Sequence, residues 1–232
     1  MSRVLADSEV DLWRAPLEAH DIANPYYESI LDEAQRANLL NFKQPGLRAN
    51  YVQMQAKRRQ ILAQYLDEAP AALKFGKGQY GKPFLINDPE LAFNVSHSAN
   101  CLVVAVSRNC DIGVDVEAIK PRNNLQGLVG RCFAAEEQAY WQALNQDQQL
   151  IGFYRLWTAK EAFVKAVGRG IALGLDRCVI DTRQPFQWLR LPDQYGPAFQ
   201  WHIAAVDLAD QQVCCSLVHN KQLVTLNIRQ WL

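Results

Sequence analysis

The chain has no net charge, no long apolar run and no paired cysteine motif. Each absence argues against one class of partner or site. Its 24 basic and 24 acidic side chains balance, which argues against a large nucleic-acid footprint. No apolar run approaches the length of a bilayer span, and residues 1–17 lack a signal-peptide core. The six cysteines show no CxxC spacing, which favours buried free thiols over zinc or disulfides. We therefore expect a cytoplasmic protein that binds neither nucleic acid nor membrane.

The stretch Ile112–Glu117 alternates apolar and polar residues with the period of a half-buried strand. Because alternate side chains of a strand point the same way, Asp115 and Glu117 should project side by side. Two adjacent carboxylates repel each other, and that cost is tolerable in solvent or around a cation. Oxygen ligands suit Mg²⁺ better than zinc. The pattern alone leaves two interpretations, a solvent-facing strand edge and a metal site.

The longest predicted helix, Phe153–Val167, presents one apolar stripe, and Lys160 falls within it. A lysine at such a position needs a buried anion or a route to water. Glu161 and Lys165 lie four residues apart on the flank of the stripe, which is the usual spacing of a surface ion pair. In the predicted helix Tyr51–Leu66, Arg58 points towards the apolar side, where a charged side chain likewise needs an anion or a route to water.

Two loop segments carry groups that can approach a phosphate. Phe75–Pro83 is punctuated by glycines and holds two lysines, although it lacks the Walker A spacing and resembles an ordinary turn. His97 follows Ser96 at the end of a predicted strand. A hairpin around Ser107–Asp111 would bring both residues close to the strand with the two carboxylates. His97 is then either a packing residue or a ligand.

The other periodic segments predict a chain in which a helix is followed by an apolar strand pair twice. The predicted helices are Tyr26–Phe42, Leu125–Phe133 and Glu136–Leu144, and the predicted strands are Val10–Leu17, Leu91–Val95, Leu102–Val106, Cys178–Asp181, Gln200–Val206, Val213–Val218 and Leu223–Ile228. We therefore expect an α+β fold of two similar halves, residues 1–110 and residues 111–232.

Three motifs occur in order along the chain: FNVSHS at Phe93–Ser98, GVDVE at Gly113–Glu117, and WTAKEA at Trp157–Ala162 with Lys165 nearby. Together they resemble the 4′-phosphopantetheinyl transferase superfamily. The Tyr80–Pro83 turn and the chain length point to its larger, Sfp-type branch. The resemblance runs from about Leu12 to about Leu217. It implies a monomer of two α+β halves related by pseudo-two-fold symmetry, with coenzyme A and Mg²⁺ in the cleft between them.

The resemblance also implies a reaction, the transfer of the phosphopantetheine arm of coenzyme A to a serine of an apo acyl or peptidyl carrier protein. Asp115, Glu117 and Glu161 would hold Mg²⁺ at the pyrophosphate, and Lys165 would contact coenzyme A and offset developing charge. Adenosine 3′,5′-bisphosphate would be released. The serine proton would pass to Glu161, to Glu137 or to a metal-bound water, and a metal-bound carboxylate is the poorer base.

Further coenzyme A contacts follow from the resemblance alone. Lys82, Ser96 and His97 match family positions that grip its phosphates, and Lys160 would lie against the metal cluster. The second helix departs from the family pattern at Asn50, where an arginine is usual, and at Met54–Gln55, where an Ala-Arg pair is usual. Arg48 would replace the missing phosphate contact if the register shifted by two residues.

Two other functions compete with the transferase. A metal-dependent phosphodiesterase would use the same three carboxylates, but it normally needs more carboxylates or histidines than these motifs supply. A catalytically inactive homologue that only binds the carrier or coenzyme A is suggested by the second-helix departures, whereas the complete Asp-Glu-Glu set argues for catalysis. The residues do not encode which carrier is used, from fatty acid, polyketide or non-ribosomal peptide synthesis.

Overall fold

The structure is a computed structural model that describes residues 2–17, 24–183, 186–222 and 224–231. Its helices within these ranges are α1 (Pro25–Ser29), α2 (Glu33–Asn38), α3 (Pro45–Ala63), α4 (Leu125–Cys132), α5 (Ala135–Ala143) and α6 (Gln146–Ala166). Its strands are β1 (Glu9–Pro16), β2 (Phe75–Lys77), β3 (Pro83–Leu85), β4 (Leu91–Ser98), β5 (Cys101–Arg108), β6 (Ile112–Ala118), β7 (Val179–Asp181), β8 (Gln187–Arg190), β9 (His202–Ala205), β10 (Val213–His219) and β11 (Thr225–Gln230).

Two sheets lie face to face between two helices. The first sheet has the strand order β11-β1-β5-β4, and the second has the order β6-β10-β9. Apolar side chains between the sheets form one core, to which Val10, Val103, Val114 and Leu217 belong. The helix α3 covers the other face of the first sheet, and α6 covers the other face of the second. These layers confirm the expected mixture of helices and strands, whereas the pseudo-two-fold relation stays a prediction.

The last strand crosses back to the first sheet. β11 pairs in parallel with β1, with Val10 opposite Leu226. The first sheet therefore contains strands from both predicted halves. The boundary between the two sheets does not coincide with a single cut of the chain at residue 110. The predicted strand Leu223–Ile228 begins at Thr225 instead, and Leu223 lies outside the described residues.

The prediction of one continuous helix over Tyr26–Phe42 is wrong. The chain forms α1 and α2 instead, because the Asp32 carboxylate accepts a hydrogen bond from the backbone N–H of Gln35 and starts a new helix there. Two other helices begin earlier than predicted, α3 at Pro45 and α6 at Gln146. A proline is well tolerated in the first turn of a helix, so Pro45 starts α3 rather than blocking it.

The arginines of α3 have structural partners. The Arg58 guanidinium stacks 4.2 Å from the centre of the Phe75 ring, which explains why it points to the apolar side. Burial lowers the pKa of Arg58 to about 10. Arg59 is fully buried, forms an ion pair with Asp32 and donates to Gln35 Oε1 at 2.7 Å. Both side chains therefore fasten α3 to its neighbours.

All six cysteines are free and buried. Across the ranges that the structure describes, none of the helices combines the length and the apolar character that a bilayer crossing requires.

The strand β6 and the helix α6 touch backbone to backbone at Gly113. A Cβ atom on Gly113 would collide with the carbonyl oxygen of Ala162 and would lie 2.5 Å from the backbone nitrogen of Ala166. No side chain fits in that space, so the glycine sets how closely α6 approaches β6.

We therefore expect Gly113→Ala to lower the free energy of unfolding by about 2 kcal/mol or more, because backbone atoms cannot move aside cheaply. Urea denaturation followed by circular dichroism measures the change. The matched control is Gly46→Ala, where a Cβ meets nothing within 4 Å and the site lies in α3. Alanine should be neutral or stabilising there. Equal effects of the two substitutions would contradict the packing argument.

Candidate active site

A cavity of about 300 Å³ lies where β4, β6 and α6 meet. Six of the predicted site residues line it, and four do not. The lining residues are Val95, Ser96, His97, Asp115, Val116, Glu117, Trp157, Glu161 and Lys165. The cavity thus gathers the three predicted metal ligands and Lys165 from two elements that are distant in sequence.

Asp115 is buried, and only one of its two carboxylate oxygens has hydrogen-bond partners. Its Oδ1 accepts from Lys165 Nζ at 2.6 Å and from the Ser96 hydroxyl at 2.9 Å. Its Oδ2 is buried without a hydrogen-bond partner. Burial raises the pKa of Asp115 above its ordinary value, and the Lys165 ammonium partly offsets this.

Glu161 extends from α6 into the same cavity. It is 8% exposed, and its Oε1 is buried without a hydrogen-bond partner. Burial, followed by the negative charge of Asp115, raises the pKa of Glu161 to about 7. The cavity therefore holds an acidic group that is poorly stabilised in its charged form.

Glu117 has two neighbours that the sequence analysis did not place in the site. The Ser98 hydroxyl donates to Glu117 Oε2 at 3.2 Å, and Arg122 Nη2 lies 3.9 Å from the same oxygen. Arg122 is held by a hydrogen bond from its Nε to Tyr154 Oη at 3.1 Å. The two-residue spacing of Ser96 and Ser98 along one strand was a usable signal for Ser98. Nothing local in the sequence marks Arg122, because its partners come from the tertiary fold.

The donor set of the cavity suits a hard divalent cation. Asp115 Oδ2 and Glu161 Oε1 are buried oxygens without partners, and such atoms are costly unless a ligand satisfies them. Carboxylate oxygens are what Mg²⁺ prefers. Among the residues that the structure describes, however, no three such side chains form a finished metal site, and Lys165 stands against Asp115. The residues therefore fit a cation chemically, and their side chains must turn to enclose one.

Lys160 and Glu137 do not line this cavity, so their predicted roles as a coenzyme A contact and a general base gain no support from it and stay predictions. Both side chains are fully buried and form an ion pair with each other. Lys160 Nζ also donates to the Leu175 carbonyl at 2.8 Å. Glu137 accepts from the backbone N–H groups of Ala134 and Ile180, each at 2.8 Å. The Glu137 carboxylate thereby satisfies the backbone N–H of Ala134, which precedes α5.

The other two predicted coenzyme A contacts, Lys82 and Arg48, also lie outside the cavity. Lys82 Nζ donates to the carbonyl oxygens of Ile112, at 3.1 Å, and Ala166, at 2.6 Å. It faces a separate cavity of about 630 Å³. Arg48 forms an ion pair with Glu28. Phosphate contacts by these two residues stay predictions. His97 is exposed at the rim of the first cavity.

Comparison with known proteins places the chain in a family. A model of the 4′-phosphopantetheinyl transferase superfamily matches residues 111–218. A Synechocystis protein assigned to the 4′-phosphopantetheinyl transferases is 33% identical, over 86% of this chain and 81% of its own length. The Nostoc transferase HetI is 36% identical over 72% of each chain. The Bacillus subtilis transferase Sfp is 31% identical over 61% of this chain and 62% of its own.

A solved structure is also similar. A holo-(acyl-carrier-protein) synthase from Bacillus anthracis in complex with coenzyme A is 18% identical, with a TM-score of 0.37, over 47% of this chain and 93% of that chain. On the sequence relatives, the chain belongs to the 4′-phosphopantetheinyl transferase superfamily. It is an enzyme of the Sfp-related transferases within that superfamily.

The buried carboxylate of Glu161 should make stability depend on pH. Its folded pKa is raised from 4.5 to about 7, so the unfolded chain loses the proton first and stability falls as pH rises between those values. Without metal, Glu161→Gln should therefore be more stable than wild type by about 3 kcal/mol at pH 8 and equal to it at pH 4. Urea denaturation in EDTA measures this, and parallel pH profiles would contradict it.

The Glu137–Lys160 pair should be a structural requirement rather than a catalytic one. Lys160→Met leaves a buried unpaired carboxylate and should lower the free energy of unfolding by about 3–5 kcal/mol. The double variant Glu137→Leu/Lys160→Met should recover part of that loss. Glu136→Gln, at the exposed pair with Arg190, serves as the control and should not change stability measurably. Additive effects of the two core substitutions in thermal denaturation would refute the pairing.

Proposed function

We propose that the enzyme transfers the phosphopantetheine arm of coenzyme A to a serine hydroxyl of an apo acyl or peptidyl carrier protein and releases adenosine 3′,5′-bisphosphate. Mg²⁺ would be held by Asp115, Glu117 and Glu161. The observation that carries this proposal is the pair of buried carboxylate oxygens without partners, Asp115 Oδ2 and Glu161 Oε1, in one cavity. The named activities of the relatives support the same reaction.

Phosphoryl transfer depends on positioning and on charge neutralisation. When bound, the cation would neutralise the pyrophosphate of coenzyme A and polarise its phosphorus–oxygen bonds. Lys165 is 28% exposed and contacts Asp115. With Asp115 engaged by a cation, the Lys165 ammonium would be available within the cavity to stabilise charge on the departing phosphate oxygen.

Of the two glutamates proposed to accept the serine proton, Glu161 is the one that lines the cavity. It could take the proton only through a carboxylate oxygen that the cation does not occupy, because a metal-bound oxygen is the poorer base. Glu137 is enclosed in the core with both oxygens engaged, so it cannot reach an incoming hydroxyl. A proton acceptor must come within hydrogen-bond reach of the proton it removes.

We further propose that the enzyme acts as a monomer in the cytoplasm. All three carboxylates and Lys165 come from one chain, so the cavity needs no residue from a second copy. The six cysteines are free and buried, which suits a reducing compartment.

Mass spectrometry of an apo carrier protein incubated with the enzyme, coenzyme A and Mg²⁺ tests the function. The carrier should gain the mass of one phosphopantetheine arm, and Asp115→Asn should slow this by about 100-fold or more, because it removes charge from the cation site. Glu136→Gln, outside the cavity, should react like wild type.

The same assay separates the competing functions. Carrier binding without a gain in mass would indicate a non-catalytic homologue. Hydrolysis of coenzyme A in the absence of carrier would indicate a phosphodiesterase. Either result would overturn the proposed transfer.

A further inference from the structure

The two sheets meet at their edges without backbone pairing. β4 is the last strand of the first sheet and β6 is the first strand of the second, and no backbone ladder joins the two strands in the part of the chain that is described. An edge strand leaves alternate backbone N–H groups without a partner, and such groups are costly when they are buried. The free edge of β6 therefore needs acceptors from elsewhere.

Side chains of β4 supply those acceptors. Every second residue of β4 accepts from every second backbone N–H of β6: Asn94 Oδ1 from Val114 at 2.9 Å, Ser96 Oγ from Val116 at 3.3 Å, and Ser98 Oγ from Ala118 at 2.9 Å. The three residues share one face of β4 because their spacing is two. They form a side-chain ladder in place of a backbone ladder. This ladder, Asn94-Ser96-Ser98, accounts for three of the four polar residues of the FNVSHS motif.

Two rungs of the side-chain ladder also hold the carboxylates. Ser96 donates its hydroxyl proton to Asp115 Oδ1 at 2.9 Å, and Ser98 donates to Glu117 Oε2 at 3.2 Å. A serine hydroxyl has one proton and two lone pairs. Because the β6 N–H group occupies one lone pair, the direction of the remaining proton is constrained. The backbone of β6 therefore helps to aim each hydroxyl at the neighbouring carboxylate.

The Ser96 hydroxyl is used completely. It accepts from the Val116 N–H and from Lys165 Nζ, the latter at 2.8 Å, and donates to Asp115. Its single proton is engaged by Asp115, so it has no free donor for a coenzyme A phosphate, which was its expected partner. Asn94, in contrast, accepts from Val114 and contacts neither carboxylate.

We propose that Ser96 and Ser98 are positioning residues, which join the two sheets through the side-chain ladder and orient Asp115 and Glu117 for the cation. This rests on the proposed function, in which those carboxylates hold Mg²⁺. Groups that hydrogen-bond to metal-ligating side chains fix their orientation, and their loss typically weakens metal binding about 10- to 100-fold.

Mn²⁺ binding to the full chain, measured by electron paramagnetic resonance without coenzyme A or carrier, tests the orienting role. Ser96→Ala and Ser98→Ala should each weaken Mn²⁺ binding by about 10-fold or more. Asn94→Ala is the matched control, because it removes a rung that touches no carboxylate and should change the Kd by less than about twofold. Ser98→Thr keeps a hydroxyl and should restore binding. Equal Kd values for Asn94→Ala and the two serine variants would overturn the orienting role.

Amide hydrogen exchange tests the side-chain ladder separately from the metal. Ser98→Ala should speed exchange at Ala118, and Asn94→Ala should speed it at Val114, because each amide loses its acceptor. Unchanged exchange in both variants would overturn the side-chain ladder.

The proposed function has its own control. Wild type that binds no Mn²⁺, or Asp115→Asn that binds it as tightly as wild type, would overturn the proposed cation site and the orienting role with it. The exchange results would still decide whether the side-chain ladder joins the sheets.

Discussion

The backbone contact between β6 and α6 is the constraint on which the site depends. Gly113 has no side chain, so the carbonyl of Ala162 and the backbone of Ala166 come directly against the strand. That approach brings Glu161 and Lys165 to the carboxylate of Asp115. The adjacent residue, Lys160, leaves α6 in another direction and is paired with Glu137 in the core. Successive helical residues differ by about 100° in direction. The helix α6 can therefore place Lys160 in the core and Glu161 in the cavity.

The cavity is electrostatically unfavourable without a cation. Burial raises the pKa of both Asp115 and Glu161, and each keeps one buried oxygen without a partner. Lys165, Ser96 and Ser98 offset only part of this cost. Local rules of this kind are usually broken where function requires it. The unsatisfied carboxylate oxygens belong to residues that the proposed reaction would use, while the buried Glu137–Lys160 ion pair is fully hydrogen-bonded.

Local patterns in the sequence predicted the parts of the site that depend on one element. The period of two placed Asp115 and Glu117 side by side, and the apolar stripe marked α6. The argument that Lys160 needs a buried anion was correct in its physics, but the anion is Glu137, 23 residues away, rather than a substrate phosphate. Spacing cannot identify a partner from another element. For the same reason the sequence did not identify Arg122, whose position depends on Tyr154. It also did not identify the β4 side chains that accept hydrogen bonds from the edge of β6.

A purely structural role does not explain the unpartnered oxygens. A protein that needed the two sheets merely to be joined could satisfy every group with hydroxyls and backbone, as Asn94 does at Val114. An unsatisfied buried polar atom costs about 1–3 kcal/mol, and more when it carries charge. Glu161 Oε1 is such an atom, and it forms no hydrogen bond that would stabilise the fold. A glutamate in that position is explained when a ligand with positive charge completes its contacts, as the proposed cation site would do.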